Sequence, residues 1–115
     1  MENITDRIKY ISSIEEFNKI INNNKIVIVK ASATWCKPCK VINPFFNICI
    51  KELPPDVCIV FIDIDEASDI KRKYKIKAVP YFANFIDGDI TDITNTSDKT
   101  EIKSFLLKTL KNINK

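Results

Sequence analysis

Two short runs of apolar, mostly β-branched residues restrict the fold of this chain more than any other feature. They read KIVIVKA at residues 25–31 and VCIVFIDID at residues 57–65. Neither alternates apolar with polar residues as a strand with one wet face does, so each predicts a strand covered on both faces. Because helical patterns alternate with these runs, the chain is predicted to form an α/β fold with a central mixed β-sheet flanked by helices.

Helical patterns fill the intervals between these runs. Ser13 and Glu16 have the spacing of a capping box at the start of the first helix. Three further helices are predicted at residues 39–53, 66–76 and 98–112. The second of them contains Pro44, which predicts a bend.

The stretch PYFANFIDGDITDI, residues 80–93, predicts a hairpin of two antiparallel strands that turns at Asp87 and Gly88. With a short first strand near residues 8–11, the chain is predicted to contain about five strands and about four helices. No linker or repeat divides the 115 residues, a length that suits one domain. Residues 1–115 are therefore predicted to form a single domain.

The charge and the N-terminus of the chain restrict its partners and location. A net charge of +3 is too small to imply nucleic acid as a partner. The first ten residues, MENITDRIKY, do not resemble a signal peptide, and no apolar run is long enough to span a bilayer. We expect a monomer in the cytoplasm with no membrane partner and no cofactor. In that reducing compartment a cysteine pair is more often catalytic or metal-binding than a permanent staple.

Such a pair occurs in ATWCKPCK, residues 33–40, between the first apolar run and the second helix. A thiol at the start of a helix gains from the backbone N–H groups and the helix dipole, so the pKa of Cys36 should be depressed. Cys39 lies one turn further on, close enough to form a disulfide with little backbone movement. We predict Cys36 as the exposed nucleophile and Cys39 as the resolving thiol.

Three neighbours of the pair are predicted to contact substrates: Trp35, Lys37 and Pro38. Trp35 offers a large flat docking surface beside the thiols. Lys37 adds a positive charge next to the nucleophile, and Pro38 limits the flexibility of the turn.

Metal binding is an alternative function for the pair. The chain has no histidine, so a four-ligand zinc or iron–sulfur site would also need Cys49 and Cys58. These two lack C-x-x-C spacing and lie on predicted apolar faces, which is typical of buried core thiols. No metal site is therefore predicted. A second alternative is a binding module in which the cysteines are incidental.

The segment SATWCKPCKVINPFF, residues 32–46, resembles the active-site segment of the thioredoxin family. The family motif W-C-G-P-C-K is followed by a proline in the same helix, here Pro44. FIDIDE resembles the family's strand that ends in Asp, KAVPYF its loop with a cis proline, here Pro80, and FIDGD its last hairpin. The resemblance implies the thioredoxin fold and a dithiol–disulfide oxidoreductase that acts on protein substrates.

The resemblance also implies how the protein binds its substrates and which protein exchanges electrons with it. A cis proline at Pro80 exposes the backbone of Val79 for pairing with an extended substrate segment. The electron partner would be a thioredoxin reductase if the protein is a reductant, which we favour. It would be a sulfhydryl oxidase if the protein is a thiol oxidase or isomerase partner with a more oxidising pair.

Four positions depart from the family pattern. Lys30 stands where the family has a buried acid six residues before the first cysteine, and Lys37 replaces the glycine of the motif. Phe61 replaces a buried lysine, and Thr96 a glycine of the final strand. A partly buried ammonium at Lys30 would stabilise a thiolate, so Lys30 is predicted to tune the redox pair. Alternatively, its stem lies along apolar surface with the ammonium in water.

Overall fold

The computed structural model describes residues 4–113, in which four α-helices surround five strands. In chain order the elements are a 3-10 turn Ile4–Arg7, β1 Ile8–Tyr10, α1 Ile14–Asn23, β2 Ile26–Ser32, α2 Lys37–Ile50, β3 Val57–Asp63, α3 Ser68–Lys73, β4 Tyr81–Ile86, β5 Asp89–Thr94 and α4 Lys99–Ile113. The predicted α/β architecture is confirmed. The prediction that residues 1–115 form a single domain stays a prediction.

The five strands form one sheet in the order β1-β3-β2-β4-β5. β3 pairs in parallel with both β1 and β2, whereas β4 is antiparallel to β2 and to β5. Ile28 at the centre of β2 pairs with Ile59 on one side and Asn84 on the other. The two apolar runs thus form adjacent inner strands, which explains why they show no polar face.

Helices cover both faces of the sheet, and alternate residues of each strand pack on opposite sides. One face packs against α1 and α3 through Phe17, Ile21, Val27, Val29, Val60, Ile70 and Phe85. The other packs against α2 and α4 through Ile28, Ile42, Phe46, Ile59, Phe82, Ile102 and Phe105. Full burial of each such side chain contributes about 1.5–3 kcal/mol to stability.

Two predicted local signals are confirmed at atomic detail. The Ser13 hydroxyl accepts a hydrogen bond from the N–H of Glu16 at 3.3 Å, as in half of a capping box. The hairpin turns at Asp87 and Gly88, whose φ angles of 52° and 86° lie in the left-handed region. Residues such as Asp and Gly are favoured there, so the turn residues account for the pairing of Ile86 with Asp89 beside the turn. Further along, a register shift between Asn84 and Phe85 interrupts the pairing of β4 and β5.

The boundaries of α2 differ from the predicted residues 39–53. The helix begins two residues earlier, at Lys37, because Cys36 is its N-cap. It ends at Ile50 because the N–H of Lys51 then bonds to the carbonyl three residues back, at Ile48, at 3.3 Å. The same tighter spacing joins Leu53 to Ile50, so the chain leaves the helix as a 3-10 turn.

No helix among residues 4–113 is both long enough and apolar enough to cross a membrane.

Candidate functional site

The cysteine motif lies between the end of β2 and the first turn of α2. The N–H of Cys36 donates to the carbonyl of Ala33 at 3.1 Å, which closes a turn after the strand. Cys36 then caps the helix, and its Sγ accepts from the N–H of Cys39 at 3.2 Å. Pro38 occupies the first helical turn, where its missing N–H removes no helix bond. The local sequence therefore places the first thiol at the N-terminus of the helix, as predicted.

Cys36 and Cys39 are joined in a disulfide, with their Cα atoms 5.3 Å apart. This separation lies within the normal range for disulfides, so the pair closes without distorting the helix. Cys36 is 3% exposed and Cys39 1%. The expectation of an exposed Cys36 is wrong for this oxidised state, because its sulfur turns into the first helical turn, where it meets the Cys39 sulfur and N–H.

The Val79–Pro80 loop lies at the same end of the sheet as the cysteine motif. The Val79–Pro80 peptide is cis, as expected from the sequence. Pro80 is buried and Val79 is partly exposed. Tyr81, the first residue of β4, pairs with Ala31, the next-to-last residue of β2. Because β2 leads directly into the cysteine motif, this register brings the loop to the side of the sheet where the disulfide lies.

An exposed aromatic ring borders the disulfide. Trp35 is 65% exposed, and its Nε1–H donates to Oδ2 of Asp65 at 2.9 Å. Lys37 and Pro38 are exposed beside it. Asp65 was not singled out from the sequence, although it follows β3 in the FIDIDE segment. Its carboxylate fixes the orientation of a ring that is otherwise open to solvent.

The family model for thioredoxin matches residues 9–108. The chain belongs to the thioredoxin family. It is 38% identical to a thioredoxin of Coprinus comatus over 104 residues, which cover 90% of this chain and 98% of that protein. It is 35% identical to thioredoxin 1 of Plasmodium falciparum, over 88% of this chain and 96% of that one.

Solved thioredoxin structures have the same fold. A Plasmodium falciparum thioredoxin superposes with a TM-score of 0.82 at 33% identity, covering 87% of this chain and 97% of that one. The oxidised mitochondrial thioredoxin 3 of Saccharomyces cerevisiae also gives 0.82, at 27% identity, covering 92% and 99%. Family membership and the cysteine pair identify the chain as a protein-disulfide oxidoreductase.

Lys30, the main departure from the thioredoxin pattern, is a buried cation. It is 6% exposed, and its Nζ lies 4.9 Å from the ring centroid of Phe61 and 5.6 Å from that of Phe46. Burial lowers the pKa of Lys30 from 10.5 to about 8. Within residues 4–113 its ammonium has no hydrogen bond or ion pair. The stem is thus buried and the two rings provide cation–π contacts. Lys30 also lines an open cleft, so a role in redox tuning and an ammonium that reaches water both stay predictions.

The other two cysteines lie on opposite faces of the sheet. Cys58 on β3 is buried on the side of α1 and α3, as expected for a core thiol. Cys49 is only partly buried, against the side of α2 and α4, so the expectation of a second core thiol is wrong. It lies at the edge of the α2 stripe whose centre is Ile42, Phe46 and Ile50. Burial raises the pKa of both thiols.

This arrangement bears on the metal alternative. A single four-cysteine site would need Cys49 and Cys58 to converge on the Cys36–Cys39 pair. Cys58 packs in the same core cluster as the pair, but Cys49 packs against the cluster on the opposite face of the sheet, so the four thiols do not converge. Among the residues that the structure describes, no group of three or more His, Cys, Asp or Glu side chains is placed to hold a metal ion.

Proposed function

We propose that this protein reduces disulfides of protein substrates, with Cys36 as the attacking thiol and Cys39 as the resolving thiol. The observation that carries the proposal is the Cys36–Cys39 disulfide at the N-terminus of α2. A thiolate there is stabilised by the helix dipole and by nearby N–H groups, which makes Cys36 the better nucleophile of the two.

The reaction follows thiol–disulfide exchange. The Cys36 thiolate attacks one sulfur of the substrate disulfide, forms a mixed disulfide and releases the other substrate sulfur as a thiolate. The Cys39 thiolate then attacks the Cys36 sulfur, forms the intramolecular disulfide and releases the second substrate thiolate. Two electrons pass to the substrate, and the pair becomes oxidised.

The substrate would dock on the surface around the disulfide. Trp35 supplies a fixed, exposed ring, and Lys37 and Pro38 supply the exposed turn. Beside them, the backbone of Val79 ahead of Pro80 is suited to pairing with an extended chain. These assignments are supported by the pairing of β2 with β4, which brings the cysteine motif and the Val79–Pro80 loop to the same end of the sheet.

The direction of electron flow is proposed from the relatives. Thioredoxins are in general restored by thioredoxin reductase, and we propose such a reductase as the partner here, in the cytoplasm. The burial of Lys30 supports a second candidate, a more oxidising protein served by a sulfhydryl oxidase, because a buried cation would stabilise the thiolate of the reduced pair if it lies near it.

Catalysed reduction of insulin by dithiothreitol tests the reductase. The purified protein is expected to accelerate the precipitation of reduced insulin chains well beyond the rate with dithiothreitol alone. A rate no higher than that background would leave the binding-module alternative in place.

The reduction potential tests the role proposed for Lys30. Replacing it by Asp is expected to lower the potential measured against glutathione, because a charge that stabilises the thiolate is exchanged for one that destabilises it. With a pKa of about 8, Lys30 is mostly protonated at neutral pH. An interaction of about 1 kcal/mol corresponds to about 20 mV for a two-electron couple, so the change is measurable.

Lys99 provides the matched control for this experiment. Its Nζ also lies over an aromatic ring, 5.6 Å from the centroid of Phe45, but it is exposed and belongs to α4. Lys99→Asp should leave the potential unchanged. An equal or higher potential in Lys30→Asp than in the parent would contradict the electrostatic role.

A further inference from the structure

The loop before β4 leaves the backbone of Val79 without hydrogen bonds. Within residues 4–113, neither the N–H nor the carbonyl of Val79 takes part in a hydrogen bond. The carbonyls on either side, at Ala78 and Pro80, both accept from the side-chain amide of Asn95, at 3.0 and 3.2 Å. One side chain thus fixes both neighbours of a residue whose own polar groups stay free.

Asn95 is itself held between two ordered elements. It directly follows β5, whose last residue, Thr94, pairs with Phe82 of β4. The buried Thr96 comes next, and its hydroxyl accepts from the N–H of Asp98 at 3.0 Å. Asp98 in turn accepts from the N–H of Glu101 at the start of α4. The amide therefore projects from a short segment anchored on both sides.

We propose that Asn95 is a positioning residue for substrate binding, whose amide holds the Ala78 and Pro80 carbonyls so that the free N–H and carbonyl of Val79 can pair with an extended polypeptide. This inference rests on the proposed disulfide reductase function. The ligand it concerns is a main-chain segment beside the substrate disulfide, which a small disulfide compound lacks.

The physical basis is pre-organisation. Without the amide, the two carbonyls bond to water and the loop samples more conformations. A substrate must then order the loop when it binds, which weakens affinity without changing the sulfur chemistry. The effect should appear in the KM for a protein disulfide and not in the reactivity of the thiols.

Steady-state kinetics of Asn95→Ala with insulin and with dithiobis(nitrobenzoate), a small disulfide, test the proposal. The KM for insulin is expected to rise about 5- to 10-fold, the loss of two modest hydrogen bonds, with kcat changed by less than about twofold. The rate with the small disulfide and the reduction potential should be unchanged. Asn95→Asp should raise the KM at least as much, because its carboxylate places acceptors against two carbonyl oxygens.

Asn24 gives a matched control. Its amide also donates to a backbone carbonyl, that of Ile20 at 2.9 Å, but at the C-terminal end of α1. Asn24→Ala should leave both substrates unaffected. An unchanged insulin KM in Asn95→Ala would overturn the proposal, and so would an equal loss with both substrates. Failure of the parent protein to reduce insulin would instead refute the reductase function, and the role of Asn95 with it.

Discussion

Replacing Cys36 by serine is expected to abolish catalysed insulin reduction, with a loss of at least about a thousandfold. A serine hydroxyl is not ionised at neutral pH and cannot form a mixed disulfide, so the first step of the exchange is lost. The helix N-terminus that stabilises the Cys36 thiolate cannot compensate, because it acts on a charge that serine does not carry. The effect is measured as the rate of insulin precipitation by dithiothreitol with the variant present, compared with the rate with dithiothreitol alone.

Two other cysteine variants show that the loss belongs to the nucleophile. Cys39→Ser retains the attacking thiol, so it should accumulate a mixed disulfide with substrate that is visible on a non-reducing gel. Cys49→Ser removes a partly exposed thiol outside the pair and should keep full activity. Activity retained in Cys36→Ser, or a mixed disulfide trapped through Cys49, would refute the assignment of the nucleophile.

The fold was predictable where a local signal and the tertiary environment favour the same structure. The uninterrupted KIVIVKA run predicted an inner strand, and β2 lies between β3 and β4. Asp87 and Gly88 predicted the turn because few other residues adopt positive φ easily. Ser13 predicted the start of α1 because its short hydroxyl side chain satisfies a free N–H there.

The site was less predictable because its details depend on contacts distant in sequence. The burial of Cys36 follows from the bond to Cys39 and the N–H at the helix end, which no apolar periodicity reveals. Asn95 contacts residues 15 and 17 positions away, and Asp65 contacts Trp35 across 30 positions. The sequence signal for Asn95 and Asp65 is limited to their positions shortly after a strand, where side chains can reach the site.

The family pattern singles out Lys30 in the sequence, but the sequence does not show which side chains surround it. Its neighbours in the sheet are Phe61 on β3 and Phe82 on β4. The family's buried acid and buried lysine are thus replaced by a lysine and a phenylalanine on the same two strands. Among residues 4–113 no carboxylate forms an ion pair with this cation, and two ring faces only partly offset its desolvation.

Replacing Lys30 by methionine is therefore expected to raise the free energy of unfolding at pH 7 by about 1–3 kcal/mol. Methionine keeps an unbranched stem of similar length and removes the buried charge. The lowered pKa, from 10.5 to about 8, would correspond to a larger gain, but solvent screening and the lost cation–π contacts reduce it. Urea unfolding of the two proteins, followed by far-ultraviolet circular dichroism, gives the difference.

The pH dependence separates a charge effect from a packing effect. Because the pKa of Lys30 is lower in the folded state than the ordinary 10.5, the unfolded chain binds more protons between pH 8 and 10.5. The stability of the parent therefore rises with pH through this window, and the full cost of the charge is present only below it. The advantage of Lys30→Met should accordingly be largest near neutral pH and shrink toward zero at about pH 10.5.

The variant Lys99→Met, which changes an exposed lysine, is the control and should show no change in stability across this pH range. A Lys30→Met advantage that is independent of pH would mean that better packing, and not removal of a buried ammonium, stabilises the variant.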